Sequence, residues 1–419
     1  MPAPKSASET PRMAAARLLG AVLGDGRMLS EEPLGSLPAP DRARAQRLAS
    51  ETLRNLSRAD HVLAAYLRKP PPLAVQNVLR IATVELCSGG DAHGVVNDAV
   101  NRIARMKNGQ ALKGLANAVL RKVATEGAAL WAEAPHAYLA DWLRKPLLAA
   151  WGKEAVRAME TTFSATPPLD LTAKTDPAAL AASLGGQRLP TGSIRLPAGQ
   201  QVSALPGFEM GDFWVQDAAA ALPARLLAPQ KGESVLDICA APGGKTMQLA
   251  AMGADVTALD ISPRRMERVR ENLARTGLTA QLVTGDALAH QGQYNAILLD
   301  APCSATGTIR RHPDLPHVRA PEAIADLAAL QSHLIDHALT LLAPGGRLVF
   351  CTCSLMPEEG EAQARAMLAR HPALKVDRPA LEGVPAEWIT PEGGIRTRPD
   401  YWPDQGGLDG FYMIRVTRP

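Results

Sequence analysis

No apolar run in this 419-residue chain reaches the length of a membrane-spanning helix, so no transmembrane segment is expected. Aromatic residues are scarce at 4%, and no internal repeat or low-complexity tract stands out. Neither sign of charge dominates: a net charge of +3 and a pI near 8.6 leave any nucleic-acid role to local patches. Cysteine is confined to Cys87, Cys239, Cys303, Cys351 and Cys353. That odd count, with a polar start from Met1 to Pro11 that lacks a signal-peptide pattern, points to a cytoplasmic protein with reduced thiols and no disulfides. What is there is 46% apolar and 21% charged, an ordinary globular composition, and the length implies two or three domains.

Apolar residues recur at helical spacing in Ala14 to Leu23, Ala45 to Leu67, Leu73 to Leu86, Val95 to Ile103 and Leu112 to Val123. Pro70 to Pro72 and Gly89 with Gly90 separate these runs, so residues 1–125 read as one all-α bundle. Its last segment carries Arg102, Arg105, Lys107, Lys113, Arg121 and Lys122 without a single acid, the clearest basic patch in the chain. Residues 126–229 mix helical pieces (139–160, 217–228) with strand-like ones (169–173, 194–196) and read as a small α+β connector. From Ser234, short apolar runs alternate regularly with helical segments, so residues 230–419 are expected to form an α/β, Rossmann-like, doubly wound sheet. Such folds bind ligands at the carboxyl ends of their strands.

The first of those strands runs into Cys239-Ala240-Ala241-Pro242-Gly243-Gly244-Lys245, where small residues allow close approach of a ligand to backbone and a helix start offers free N–H groups. A Walker loop would need glycine where Cys239 stands, and the dinucleotide fingerprint G-x-G-x-x-G is absent, which argues against phosphoryl and hydride transfer. Asp260 falls at the end of the second strand, where a carboxylate can accept both hydroxyls of a ribose, and Asp286 at the end of the third, within reach of an adenine amino group. Either aspartate alone could be a turn residue; at successive strand ends they favour a nucleoside cofactor.

The fourth strand ends in Leu298-Leu-Asp-Ala-Pro-Cys-Ser-Ala-Thr-Gly307 and the fifth carries Val349-Phe-Cys-Thr-Cys-Ser-Leu355. Carbon 5 of a pyrimidine is a poor nucleophile until something adds to carbon 6, and a thiolate does that well. Cys87 and Cys351 read as buried apolar residues, whereas Cys353 differs only if it lies past the end of its strand. The loop with Arg310, Arg311, His312, His317 and Arg319 is either an exposed loop or a support for a splayed RNA strand. Tyr401 and Trp402 are expected in core packing or a lid rather than in base stacking.

Taken together, Asp-Ile-Cys-Ala-Ala-Pro-Gly-Gly-Lys-Thr, Leu-Asp-Ala-Pro-Cys-Ser-Ala-Thr-Gly and Thr-Cys-Ser-Leu-Met-Pro-Glu-Glu resemble the Sun/Fmu family of RNA cytosine-5 methyltransferases. The continuation Ile309-Arg-Arg-His-Pro-Asp314 and the basic helical leader, which resembles NusB, point to the bacterial branch that acts on small-subunit ribosomal RNA. The resemblance implies S-adenosylmethionine as cofactor, held by Cys239 to Lys245 with Asp260, Asp286 and Asp300; Cys353 as nucleophile; Cys303 as the group that assists its release; RNA as partner; and a monomer without metal. Two departures stand out: Glu359-Gly360-Glu361 where Glu-Asn-Glu is common, and Leu171-Thr-Ala-Lys-Thr175 where Arg-Val-Asn is common. The first could alter a helix start, and the second bears on how the connector meets RNA. Three rivals remain at this stage: a DNA methyltransferase with Cys303 as nucleophile, the same chemistry on transfer RNA, and a non-catalytic assembly factor.

Overall fold

The computed structural model describes residues 9–35, 37–134, 138–377 and 380–419; of the polar amino-terminal stretch, residues 1–8 lie outside the described ones. Helix α1 (Pro11–Asp25) begins where the Thr10 side chain accepts from Met13 N and Pro11 fixes the first turn, and it stops at Gly26 in the left-handed region. There follow α2 (Ala39–Arg54), α3 (Leu56–Ala64), α4 (Leu73–Cys87), α5 (Ala92–Ala104) and α6 (Lys113–Glu133). The single helix expected over 45–67 is in fact two, because Asn55 leaves helical geometry (φ −111°, ψ 22°) and its side chain donates back to Glu51 O. Leu18, Leu19, Val62, Leu79, Ile103 and Leu120 meet in the bundle core at helical spacing. This helical unit runs to Arg144 and takes in Phe163–Thr166 and Arg311–Arg319. Leu29 N donates to Asp314 Oδ2 at 2.8 Å and Trp142 Nε1 to Pro316 O at 3.1 Å, which ties the last of these segments down.

Helix α7 (Asp141–Ser164) is broken at Gly152 (φ 79°, ψ 167°), and its part from Lys145 to Thr162 belongs to the second unit. That unit holds a four-stranded antiparallel sheet of β1 (Leu169–Ala173), β2 (Gln187–Arg188), β3 (Ile194–Leu196) and β4 (Phe213–Val215) in the order β2-β3-β1-β4, with α8 (Pro177–Leu184) inserted after β1. Helix α9 (Leu222–Leu227) is shorter than the 217–228 expected, because Asp217 accepts from Ala219 N and shapes a turn ahead of it.

The larger sheet comprises β5 (Ser234–Ile238), β6 (Asp255–Asp260), β7 (Gln281–Thr284), β8 (Tyr294–Asp300), β9 (Leu342–Thr352), β10 (Lys375–Val376), β11 (Ile395–Thr397) and β12 (Phe411–Thr417). Helices α10 (Gly244–Ala251), α11 (Pro263–Thr276), α13 (Glu322–Thr340) and α14 (Glu361–Arg370) are interspersed with the strands, whereas α12 (Leu315–Val318) belongs to the helical unit. The order is β7-β6-β5-β8-β9-β12-β10, parallel from β7 to β9 and antiparallel beyond, with β11 also on β12. The parallel part follows the sequence expectation; the antiparallel edge strands were not anticipated. Helix α11 illustrates the local logic: Ser262 caps Arg265 N, Pro263 opens the first turn, Met266, Val269, Leu273 and Thr276 form the buried stripe, and Gly277 closes it at φ 61°. β5 to β9 all deliver their carboxyl ends to one edge, with the topological switch between β5 and β8.

Candidate active site

After β5 the chain turns sharply, with Cys239 at φ 63° and Gly243 at φ 100°. A β-carbon at 243 would lie 3.1 Å from Val269 Cγ1 on α11, a tight approach, and the positive φ disfavours any side chain there, so glycine suits the turn against the helix. Asp260, buried at the end of β6, secures the loop: Oδ2 accepts from Ala241 N at 3.2 Å and Oδ1 from Ser262 N at 3.0 Å. Arg265 braces it further by donating to Ala241 O at 2.6 Å. Asp286 stands exposed after β7, where Oδ1 accepts from Leu288 N at 3.0 Å.

These groups wall a cavity of about 450 Å³ that also reaches Asp300 and both cysteines, Cys303 and Cys353. The volume lies within the usual range for small-molecule sites. Of the residues picked from the loop, Cys239 and Ala241 line this cavity. Ala240 is buried, Gly243 and Gly244 start α10, and Lys245 turns to Asp300 with Nζ 2.7 Å from Oδ2. The field here is acidic. Burial, then Asp300, Asp260 and Asp237, push the Cys239 thiol up to about 12. Such a wall suits hydroxyls, amines and a cationic ligand, and opposes a phosphate.

Asp237 is fully buried beneath the loop; Thr246 Oγ1 donates to its Oδ2 at 2.6 Å, while Oδ1 has no partner among the described residues. Burial raises its pKa to about 7. Because the folded value exceeds that of an unfolded aspartate, its contribution to stability is complete below about pH 4 and fades as pH rises to about 7. Asp237→Asn is therefore expected to gain on the native protein by up to about 4 kcal/mol between those limits, measured as unfolding free energy against pH. A difference independent of pH would count against a neutral buried carboxyl.

Cys303 lies on the loop after β8, and Cys353 one residue beyond β9; their sulfurs are 3.5 Å apart and both side chains are half-buried. Cys351 is fully buried, its Sγ 3.5 Å from Asp300 Oδ1. The Cys303 thiol is raised well above its ordinary value, first by its hydrogen bond to Cys353 and then by burial. Cys303 thus keeps its proton and can offer it to the neighbouring sulfur. Lys245 sits 5.2 Å from the Phe411 ring centre; burial disfavours its charge, but Asp300 and the sulfurs of Cys351 and Cys353 outweigh that and keep it an ammonium.

Glu359 was missed as a functional residue when the motif was read from sequence. Fully buried, it accepts from Ser304 N at 2.8 Å and Gln331 Nε2 at 3.2 Å on Oε1, and from Ser304 Oγ at 2.5 Å and Ser354 Oγ at 2.6 Å on Oε2. Each serine directly follows one of the paired cysteines, so one carboxylate pins both sulfur-bearing loops. The signal available was an acid five residues after Ser354, in a segment otherwise read only as a helix start. Gly360 beside it leaves no room for the asparagine common at this position, since a β-carbon would come 2.9 Å from Tyr412 Cβ. Gly307 is equally constrained: its N donates to Cys353 O at 2.9 Å, and a β-carbon would sit 2.9 Å from that oxygen.

Arg310 corrects the view of the basic loop. It is fully buried, paired with Asp217 and, at 2.7 Å, with Asp409, so it organises the core and is not free to hold a splayed strand. Arg102 likewise drops out of the exposed basic patch, being partly buried and donating to Met13 O at 3.2 Å, whereas Arg105, Lys107, Lys113, Arg121 and Lys122 are exposed. Tyr401 and Trp402 pack against Trp388, each with ring centres 5.2 Å from it.

A doubly wound sheet with an acid-walled cavity at its carboxyl edge defines a Rossmann-like methyltransferase fold, here joined to a helical unit. Residues 224–417 match the family model described as 16S rRNA methyltransferase RsmB/F, and residues 9–125 that of the NusB family. Ribosomal RNA small subunit methyltransferase B of Pseudomonas syringae pv. tomato is 37% identical over 446 aligned residues, covering 97% of each chain. The protein of that name from Sodalis glossinidius is 37% identical over 394 residues, covering 86% of this chain and 89% of its own. Among solved structures, a methyltransferase homolog from Pyrococcus horikoshii is 27% identical, with a TM-score of 0.56 and coverage of 66% of this chain and 94% of that one. The chain belongs to the RsmB/F family of 16S rRNA methyltransferases.

Proposed function

We propose that this protein transfers a methyl group from S-adenosylmethionine to carbon 5 of a cytosine in 16S ribosomal RNA through a transient cysteine adduct. The observation that carries the reading is the pair of sulfurs 3.5 Å apart in a cavity that also contains Asp260 and Asp286. The residues fit the donor: Asp260 would accept from the ribose and Asp286 from the adenine amine, the segment from Cys239 to Lys245 would supply backbone contacts, and Asp300 would complete the acidic wall. When bound, S-adenosylmethionine supplies an electrophilic methyl on a positively charged sulfur, which the surrounding carboxylates favour over an anion.

The chain's own groups do the rest. The Cys353 thiolate adds to carbon 6 and moves the ring electrons to carbon 5, where the new C–C bond forms. A base, such as a water molecule in the open cavity, takes the carbon 5 proton; the C–H pair restores the double bond and the C6–S pair leaves with Cys353, whose departing sulfur receives a hydrogen bond from the protonated Cys303. The target base must leave its stack, at a cost of a few kcal/mol or less if the site is single-stranded. The helical leader, residues 1–125, and the connector, residues 126–229, would supply the remaining RNA contacts.

Bisulfite sequencing of 16S and transfer RNA treated with the purified enzyme and S-adenosylmethionine tests the proposal. A new protected cytosine in 16S RNA is the expected result; protection only in transfer RNA, or a methylated base other than cytosine, overturns it. Asp260→Asn is expected to weaken S-adenosylmethionine binding about 10- to 100-fold by calorimetry, the loss of one or two charge-assisted hydrogen bonds. Unchanged affinity would remove Asp260 from the ribose site.

A further inference from the structure

A second cavity of about 320 Å³ lies between the small antiparallel sheet and helices α9 and α10, walled in part by Lys174, Arg188, Thr191, Trp214, Arg225 and Gln248. It shares no wall residue with the active-site cavity, and among the described residues no aspartate or glutamate lines it. Arg188 is exposed on β2. Arg225 is partly buried and donates to Thr191 O. Its pKa is lowered chiefly by burial, which Glu382 partly offsets and to which Arg188 adds a smaller repulsion. Lys174 donates to Thr276 O at 2.5 Å, a carbonyl that leaves its charge uncompensated.

Thr191 supplies an independent sign. It is 2% exposed, yet its Oγ1 has no hydrogen-bond partner among the described residues. A buried hydroxyl left unpaired in a wall that also carries Arg188 and Arg225 is costly unless a ligand completes it. Guanidinium forks match phosphate oxygens in geometry and charge. We propose that this cavity holds a phosphodiester of the RNA substrate, with Arg188, Arg225 and Lys174 facing its oxygens and the Thr191 hydroxyl donating to one of them. The inference rests on the reading of the protein as an RNA methyltransferase and adds an anchoring point outside the catalytic pocket. Backbone phosphates fix register without reading sequence, so the site would position the RNA and not select the base.

The test uses the full-length protein and 16S RNA, with affinity measured across a salt series. Arg188→Gln is expected to lower the slope of log affinity against log salt by about 1, and the double variant Arg188→Gln with Arg225→Gln by about 2. Thr191→Val is expected to weaken RNA binding several-fold without lowering the thermal midpoint. Calorimetry with S-adenosylmethionine reports whether each variant is folded, and Arg188→Gln, at an exposed position, serves if the Arg225 variant is not. If the slope and affinity of Arg188→Gln and Thr191→Val match the native protein, while the native protein methylates that RNA, the phosphate site is overturned alone. If the native protein fails to methylate it, the functional reading falls instead.

Discussion

Serine in place of Cys353 is expected to abolish methyl transfer, by at least about 10³-fold, because a hydroxyl at neutral pH is a far weaker nucleophile toward carbon 6 than a thiolate. Alanine in place of Cys303 is expected to behave differently: the first addition still proceeds, but release slows and the protein accumulates as a covalent complex with RNA. The asymmetry follows from the raised pKa of Cys303, which keeps it a proton donor to the sulfur 3.5 Å away. RNA containing 5-fluorocytosine separates the two roles, since the fluorine blocks the loss that frees the enzyme. Trapping by native protein and Cys303→Ala, with none by Cys353→Ala, is the expected pattern on denaturing gels. If only Cys353→Ala is trapped, the roles are reversed, as in the DNA-modifying alternative.

Replacing Glu359 should also cost much activity, though less than losing Cys353, and without touching substrate. Four donors converge on this carboxylate, and Glu359→Ala leaves them unpaired in a buried place, a loss of about 3 kcal/mol or more. Glu359→Gln keeps the shape but presents an N–H₂ where the serines need an acceptor. Displacing either sulfur by about 1 Å is enough to lower turnover roughly 10²-fold. A positioning role predicts that kcat falls in Glu359→Gln while S-adenosylmethionine affinity is kept and Glu359→Asp recovers part of the rate. Loss of cofactor affinity in step with kcat would mark a general collapse of the fold instead.

Much of this site was legible in the linear chain because strand ends and turn chemistry are local. The Pro-Gly-Gly turn, the aspartates at successive strand ends and the Pro-Cys and Thr-Cys pairs are each set within a few residues, and a parallel sheet then brings them to one edge. What was hidden depends on partners far away. Glu359 looks like an ordinary acid at a helix start, and its burial is visible only once Ser304 and Gln331 arrive from other segments. Arg310 sits among Arg311 and His312, which suggested a solvated loop, yet its counter-ions Asp217 and Asp409 lie about a hundred residues away on either side. The antiparallel edge escaped for a different reason: Phe411 to Met413 are buried on both faces, so the alternation that betrays a strand is absent there.

That edge bears on how the protein is made. Strand β12 lies between β9 and β10, with Met413 opposite Cys351, so the strand that runs into Cys353 gains its second neighbour only from residues 411–417. A growing polypeptide that has not yet released those residues from the ribosome presents a long, greasy, unsatisfied flank beside Cys353, open to mispairing with other nascent strands. Pairing beside Cys353 therefore waits on a strand made well after β9, and deleting β12 should yield aggregates before it yields a slow enzyme.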